Sequence, residues 1–199
     1  MIGKIKDEIE KRIEPLASLL PRNPNAITMA GLAFAIISMI PSIYDKPLLT
    51  LALVALSGLM DGLDGLAARK HKLTSTFGAF LDSTLDRYVD FILVMDAVML
   101  EPSMKLILIG FISYLGAVMT SYIRARGESL GLKMSGRGLL ERPERMLYMM
   151  ALLLTTAIVG NEALFYGMIV FAALTNLTAI QRGIIAAHEL KRAERMKAN

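Results

Sequence analysis

The chain predicts an all-α integral membrane protein, with six transmembrane helices behind an N-terminal amphipathic helix that lies on the membrane surface. Three observations carry that fold class. Of the 199 residues 54% are hydrophobic and the mean hydropathy is +0.50, which is too apolar for an ordinary soluble domain. The apolar residues fall in six runs, near 27–43, 47–67, 78–100, 104–123, 144–160 and 163–185, and a spanning helix needs about 20 residues. The cations also alternate between connections. All of the 22 Lys and Arg residues except Lys46, Arg87 and Lys105 lie before residue 23, within 69–76, within 124–145, or from Arg182 onward.

Each element follows from its own pattern. Residues 2–20 set Ile2, Ile5, Ile9, Ile13, Leu16 and Leu20 at helical spacing against Lys4, Lys6, Glu8, Lys11 and Arg12. That is an amphipathic helix on a bilayer surface, broken near Pro15. We therefore expect a juxtamembrane helix over 1–22, a six-helix domain over 23–190 and a basic tail over 191–199. By the positive-inside rule both termini and both basic loops face the cytoplasm. The cations flank apolar spans, which reads as topology and not as a nucleic-acid surface. The absence of cysteine excludes disulfides and thiolate metal sites. The charged opening residues are unlike a cleavable signal peptide.

The chemistry concentrates in DGLDGLAARKHKLTSTFGAFLDSTLD, residues 61–86. Its pattern is Asp61-x2-Asp64-Gly65-x2-Ala68-Arg69-x8-Gly78-x3-Asp82-x3-Asp86. Spacings of three and four place Asp61, Asp64, Gly65 and Ala68 on one face of the second helix, and Gly78, Asp82 and Asp86 on one face of the third. The loop around Lys70, His71 and Lys72 turns the chain so that the faces meet. Four carboxylates gathered in a membrane-embedded site repel one another and lose hydration. A divalent metal, or a pair, is the simplest compensation, and oxygen ligands favour Mg²⁺ or Mn²⁺ over zinc. Asp90 and Asp96 extend the acidic character of the third helix. Arg87 is placed to pair with one of these acids in a structural role.

This stretch resembles the signature of the CDP-alcohol phosphotransferases at each specified position. The resemblance implies an enzyme that moves a phosphatidyl-type group from a CDP-lipid to an alcohol and releases CMP. It implies that Asp61, Asp64 and Asp82 hold two metal ions, and that Asp86 is the catalytic base and also contacts metal. For the CDP-lipid it implies a site made of Asn25, Thr28, Asp61, Gly65, Ala68, Arg69, Ser75 and Gly78, with Arg69 on the diphosphate. Asn25 also suits an ordinary helix N-cap. The resemblance further implies a homodimer.

A second stretch, Ser121 to Arg145, resembles phosphatidylinositol-phosphate synthases in its S-Y-x-[KR]-A-R-x-E and E-R-P-E-R pieces, as does the later Gln181-Arg182 pair. Those enzymes take inositol 1-phosphate. A phosphorylated acceptor needs cations, and Arg124, Arg142, Arg145 and Arg182 are candidates; the alternative is plain loop charge for topology. Arg126, Lys133 and Arg137 are read as such loop charge. Other acceptors remain open, among them glycerol 3-phosphate and an inositol phosphate joined to CDP-inositol. The lipid is CDP-archaeol or CDP-diacylglycerol, with an archaeal archaetidylinositol-phosphate synthase the favoured form. A membrane prenyltransferase would carry two separated Asp motifs, and a cation transporter would carry acids near the midplane of several helices. Neither pattern matches one compact signature at one end of two helices.

Overall fold

Six helices, and no strands, make up the described part of the chain, residues 23–198 of a computed structural model. The amphipathic helix expected over 1–22 lies outside the described residues. The helices are α1 (Pro24–Ile43), α2 (Pro47–Lys70), α3 (Thr76–Leu100), α4 (Met104–Ser129), α5 (Arg142–Val159) and α6 (Asn161–Ala198). Each apolar run has become one helix. Four of them, α1, α2, α4 and α6, are long and apolar enough to cross a membrane by length and composition.

Local chemistry sets the helix starts. Asn23 caps α1, its side chain accepting from the Asn25 N–H at 3.1 Å, with Pro24 in the first turn. The cap thus lies two residues before Asn25, the residue that composition also suited to that role, and Asn25 is left inside the first turn. Ser75 caps α3 through the Gly78 N–H at 3.0 Å, and Ser103 caps α4 through the Leu106 N–H at 3.2 Å. Between α5 and α6 the whole turn is Gly160, at φ +103°, a left-handed conformation that favours glycine. Helix α6 continues past the last apolar run to Ala198, so the basic residues expected as a tail are helical.

Packing places the elements. Helix α1 lies against both α2 and α3; α4 lies along α6, and α5 joins the two groups by touching α2 and α6. The core runs through Val54, Val89, Leu93, Leu106, Met149, Leu153, Leu164 and Met168. Tyr148 stacks on Phe171 with ring centroids 5.3 Å apart and donates to the Gly167 carbonyl at 2.7 Å. Close approach of α4 to α6 depends on Gly116, where a Cβ would stand 2.7 Å from the Asn176 backbone nitrogen. Outward faces are apolar: Ile36, Ile40, Phe111, Leu115 and Ile158 are all exposed. Such a surface belongs against lipid and not water.

One buried polar cluster ties three helices together. Asp96, near the end of α3, is fully buried and accepts from Ser38 at 2.7 Å and Ser42 at 2.9 Å, both on α1. Thr50 of α2 hydrogen-bonds Ser42 at 3.0 Å, so three helices meet at one carboxyl group. This cluster sits at the end of the bundle opposite Asp61 and Asp82.

Candidate functional site

The paired faces of α2 and α3 meet as their spacing requires. One carboxylate oxygen from each of Asp61, Asp82 and Asp86 lies within 4.8 Å of the other two. A hard cation holding oxygens at about 2.1 Å spans up to about 4.2 Å between opposite ligands, so these three side chains fit one Mg²⁺ or Mn²⁺ with small adjustments. Asp64, one turn after Asp61, faces slightly aside. Its Oδ2 lies 2.6 Å from the Thr28 hydroxyl, which fastens α1 to the acidic face. The fourth carboxylate of the motif is therefore close by but stands outside the tightest group.

Beside the carboxylates opens a cavity of about 170 Å³ between α1, α2 and the start of α3. Asn25, Thr28, Asp64, Gly65, Ala68, Arg69, Ser75, Gly78 and Asp82 all line it. With the exception of Asp61, every residue that the sequence placed in the CDP-lipid site lies on this one wall. The glycines explain the space. A Cβ at Gly78 would stand 3.1 Å from the Ser75 hydroxyl and 3.4 Å from Asn25 Oδ1, and one at Gly65 would stand 3.4 Å from an Arg69 nitrogen. Asp61 instead faces an adjoining recess with Asp86 and Arg142, and Thr28 belongs to both spaces.

Arginines from α3 and α5 also reach the carboxylates. Arg142, the first residue of α5, bridges the motif: Nη1 donates to Asp61 Oδ2 and Nη2 pairs with Asp86 Oδ1, each at 2.7 Å. Arg87 reaches the other oxygen of Asp86 at 3.3 Å while donating to the Ser83 carbonyl at 2.6 Å. Its partner is thus the adjacent motif acid, whereas the sequence pointed to Asp90 or Asp96. Asp90 pairs with Arg145 at 2.8 Å, both side chains buried, and Ser121 lies 3.5 Å from the same nitrogen. Arg182 of α6 is buried and donates to the Thr120 carbonyl at 2.9 Å, to Glu141 at 2.8 Å and to the Arg137 carbonyl. Arg124 is more exposed and pairs with Glu128 one turn on, at 3.1 Å. The charges of Arg124 and Arg145 both bear on Arg182, so three of the four arginines named from sequence share a neighbourhood. Arg142 reaches the motif from the first turn of the helix that also carries Arg145.

Two features escaped the sequence. Glu141 joins the site as the acceptor for Arg182, and Arg137, read as loop charge, pairs with Glu189. Together with the Arg182 contacts, this straps the 130–141 loop onto α6. At Gly138, φ is +127° and a Cβ would stand 3.0 Å from Arg182 Nε, so only glycine lets the loop pass this close. Nε of Arg142 and Nε of Arg145 are buried donors with no hydrogen-bond partner among the described residues.

Comparison with known proteins gives a consistent picture. A family model described as CDP-alcohol phosphatidyltransferase matches residues 22–180. An archaetidylinositol phosphate synthase from Aeropyrum pernix is 37% identical over 196 residues, covering 96% of this chain and 99% of the relative. The crystal structure of Mycobacterium tuberculosis phosphatidylinositol phosphate synthase with CDP-DAG bound superposes with a TM-score of 0.74 at 27% identity, covering 92% of this chain and 94% of the other. A structure of the same mycobacterial enzyme in complex with manganese and citrate gives a TM-score of 0.74 at 26% identity, covering 91% and 88% of the two chains.

The Asp90–Arg145 pair yields a stability test. Asp90→Ala leaves a buried guanidinium uncompensated and should cost about 3–5 kcal/mol, whereas replacing both residues with apolar ones of similar volume should restore most of the loss. Thermal unfolding in detergent checks this. Equal unfolding temperatures for Asp90→Ala and the wild type would show that the pair does not hold the helices.

Proposed function

The chain belongs to the CDP-alcohol phosphatidyltransferase family, and from that premise we propose that it transfers a phosphatidyl-type group from a CDP-lipid to the hydroxyl of inositol 1-phosphate. The observation that supports this reading most is one of placement. The cavity lined by Gly65, Ala68, Arg69 and Gly78 takes in Asp82 of the carboxylate cluster, while Arg142, on the helix that also carries Arg145, pairs with Asp61 and Asp86 of the same cluster. A donor with a diphosphate and an acceptor with a phosphate are the two anions such a layout would bring together. The CDP head fits the cavity side, where Arg69 binds the diphosphate and Ser75 and the α3 N-terminus offer further polar contacts. CDP-archaeol is the favoured donor, in keeping with the archaeal relative, and its chains lie among the apolar outer faces.

Asp61, Asp64, Asp82 and Asp86 hold Mg²⁺ or Mn²⁺, in two sites. Metal bound there supplies positive charge to the diphosphate and to the departing CMP. The remaining work falls to side chains. Arg142, Arg145, Arg124 and Arg182 form the acceptor subsite, and the unpartnered Nε atoms of Arg142 and Arg145 are donors still to be satisfied. Asp86, at the junction of both subsites, takes the proton from the acceptor hydroxyl. The acceptor oxygen then bonds to the lipid-side phosphorus. The bond from that phosphorus to the bridging oxygen breaks, and its electron pair leaves with CMP.

All six helices span the membrane in this proposal, with both termini cytoplasmic, and α3 and α5 do so despite their charges. Those charges are answered inside the bundle: Asp86 by Arg142, Asp90 by Arg145, and Asp96 by Ser38 and Ser42. Paired and buried, they need not face lipid. The chain acts as a homodimer, as the family resemblance implies.

Two measurements test these proposals. Purified protein given CDP-archaeol and Mg²⁺ should turn over inositol 1-phosphate and leave free inositol and glycerol 3-phosphate largely unused, and Asp61→Asn or Asp82→Asn should abolish turnover. Preference for glycerol 3-phosphate, or full activity in either variant, would refute the assignment. Single cysteines at Ser75 and Ser135 should be labelled from the cytoplasmic side, and those at Lys46 and Glu101 from the opposite side. Labelling of all four from one side would overturn the six-span topology.

A further inference from the structure

Arg142 and a divalent cation draw on the same side chains. The guanidinium takes Asp61 Oδ2 and Asp86 Oδ1, each at 2.7 Å, and these residues supply two of the three carboxylates able to hold one ion. Both Asp86 oxygens already face a guanidinium, since Arg87 lies 3.3 Å from the second one. Arg87 is anchored independently on the Ser83 carbonyl. Among the described residues Arg142 has no such anchor: its hydrogen bonds and ion pairs go to Asp61 and Asp86, and its Nε has no partner there. When it lets go of the two carboxylates, nothing else need break. A fixed +1 charge beside an added +2 in a partly buried, weakly screened site is also strongly unfavourable.

We propose that Arg142 is an exchangeable counter-ion. Metal arriving at Asp61 and Asp86 displaces its guanidinium, and the freed guanidinium then binds the phosphate of the acceptor. The acceptor subsite is therefore completed by metal loading, which prevents the anion and the bare carboxylates from competing for Arg142. The hand-off rests on the reading of the acceptor as a phosphorylated alcohol; the competition with metal does not. By linkage, whatever the metal does for the anion the anion does equally for the metal.

The test is Mn²⁺ affinity of the full chain in detergent, read from the loss of the free-ion electron paramagnetic resonance signal, with sulfate as a tetrahedral anion probe against chloride at equal ionic strength. Arg142→Gln should bind Mn²⁺ about tenfold tighter or more, the factor expected for losing one charged hydrogen-bonded competitor. Arg142→Lys keeps the charge but loses the bidentate contact, so it should fall between Gln and the wild type. Arg126→Gln, which removes an exposed charge outside the site, should match the wild type. Sulfate should tighten Mn²⁺ binding in the wild type and not in Arg142→Gln. Affinity no tighter in both Arg142 variants overturns the exchange. Tightening in the Gln variant alone, with Lys like the wild type, also overturns it, because bulk charge then suffices. Tightening in both variants without a sulfate effect in the wild type overturns the hand-off. The acceptor reading itself stands or falls separately, on turnover of inositol 1-phosphate.

Discussion

Carboxylates inside an apolar bundle have to be compensated, and that requirement organises this molecule. Asp61, Asp64, Asp82, Asp86, Asp90 and Asp96 are carried on just two helices. All but Asp82 take a hydrogen-bonded or ion-paired partner from a different part of the chain. Asp64 takes the Thr28 hydroxyl from α1, Asp96 takes Ser38 and Ser42 from the same helix, and Asp90 takes Arg145 from α5. Asp61 and Asp86 share Arg142. The packing of α1 and α5 against α2 and α3 is thus an electrostatic requirement as much as an apolar one. A buried acid without its partner would cost several kcal/mol, of the order of about 3–5.

The two ends of the bundle use that rule differently. At the end holding Asp96, neutral hydroxyl donors close the network, and every group there is fully buried. At the other end Asp61 and Asp82 remain partly open, beside a cavity, and Asp61 is paired with Arg142 at a helix start. The first arrangement is a static tie. The second leaves charge available for a ligand, which is what a site for metal and diphosphate requires.

Much of this was legible in the chain itself. The six runs became six helices because apolar length sets both. The motif spacings brought Asp61, Asp82 and Asp86 together because helical periodicity is rigid over two turns. The glycine positions anticipated the cavity, since Gly65 and Gly78 leave room that any side chain would fill. What could not be read is non-local. Arg142 lies 81 residues from Asp61, and no local pattern says which acid a loop arginine will choose. Arg182 is committed to Glu141 and two carbonyls, contacts set by how the 130–141 loop folds over α6. The extension of α6 to Ala198 was missed because the helix there is no longer apolar, and hydropathy cannot distinguish a solvated helix from a tail. Asn23 took the cap from Asn25 because Pro24 is already shaped for the first helical position.

In the proposed function Asp61, Asp82 and Asp86, from two helices, hold one divalent ion between them. Anomalous diffraction from a crystal soaked in Mn²⁺ addresses it directly. An anomalous peak is expected within bonding distance of all three carboxylates, with the Arg142 guanidinium withdrawn from Asp61 and Asp86. A peak bound elsewhere, or none at this position while Arg142 keeps both ion pairs, would contradict it.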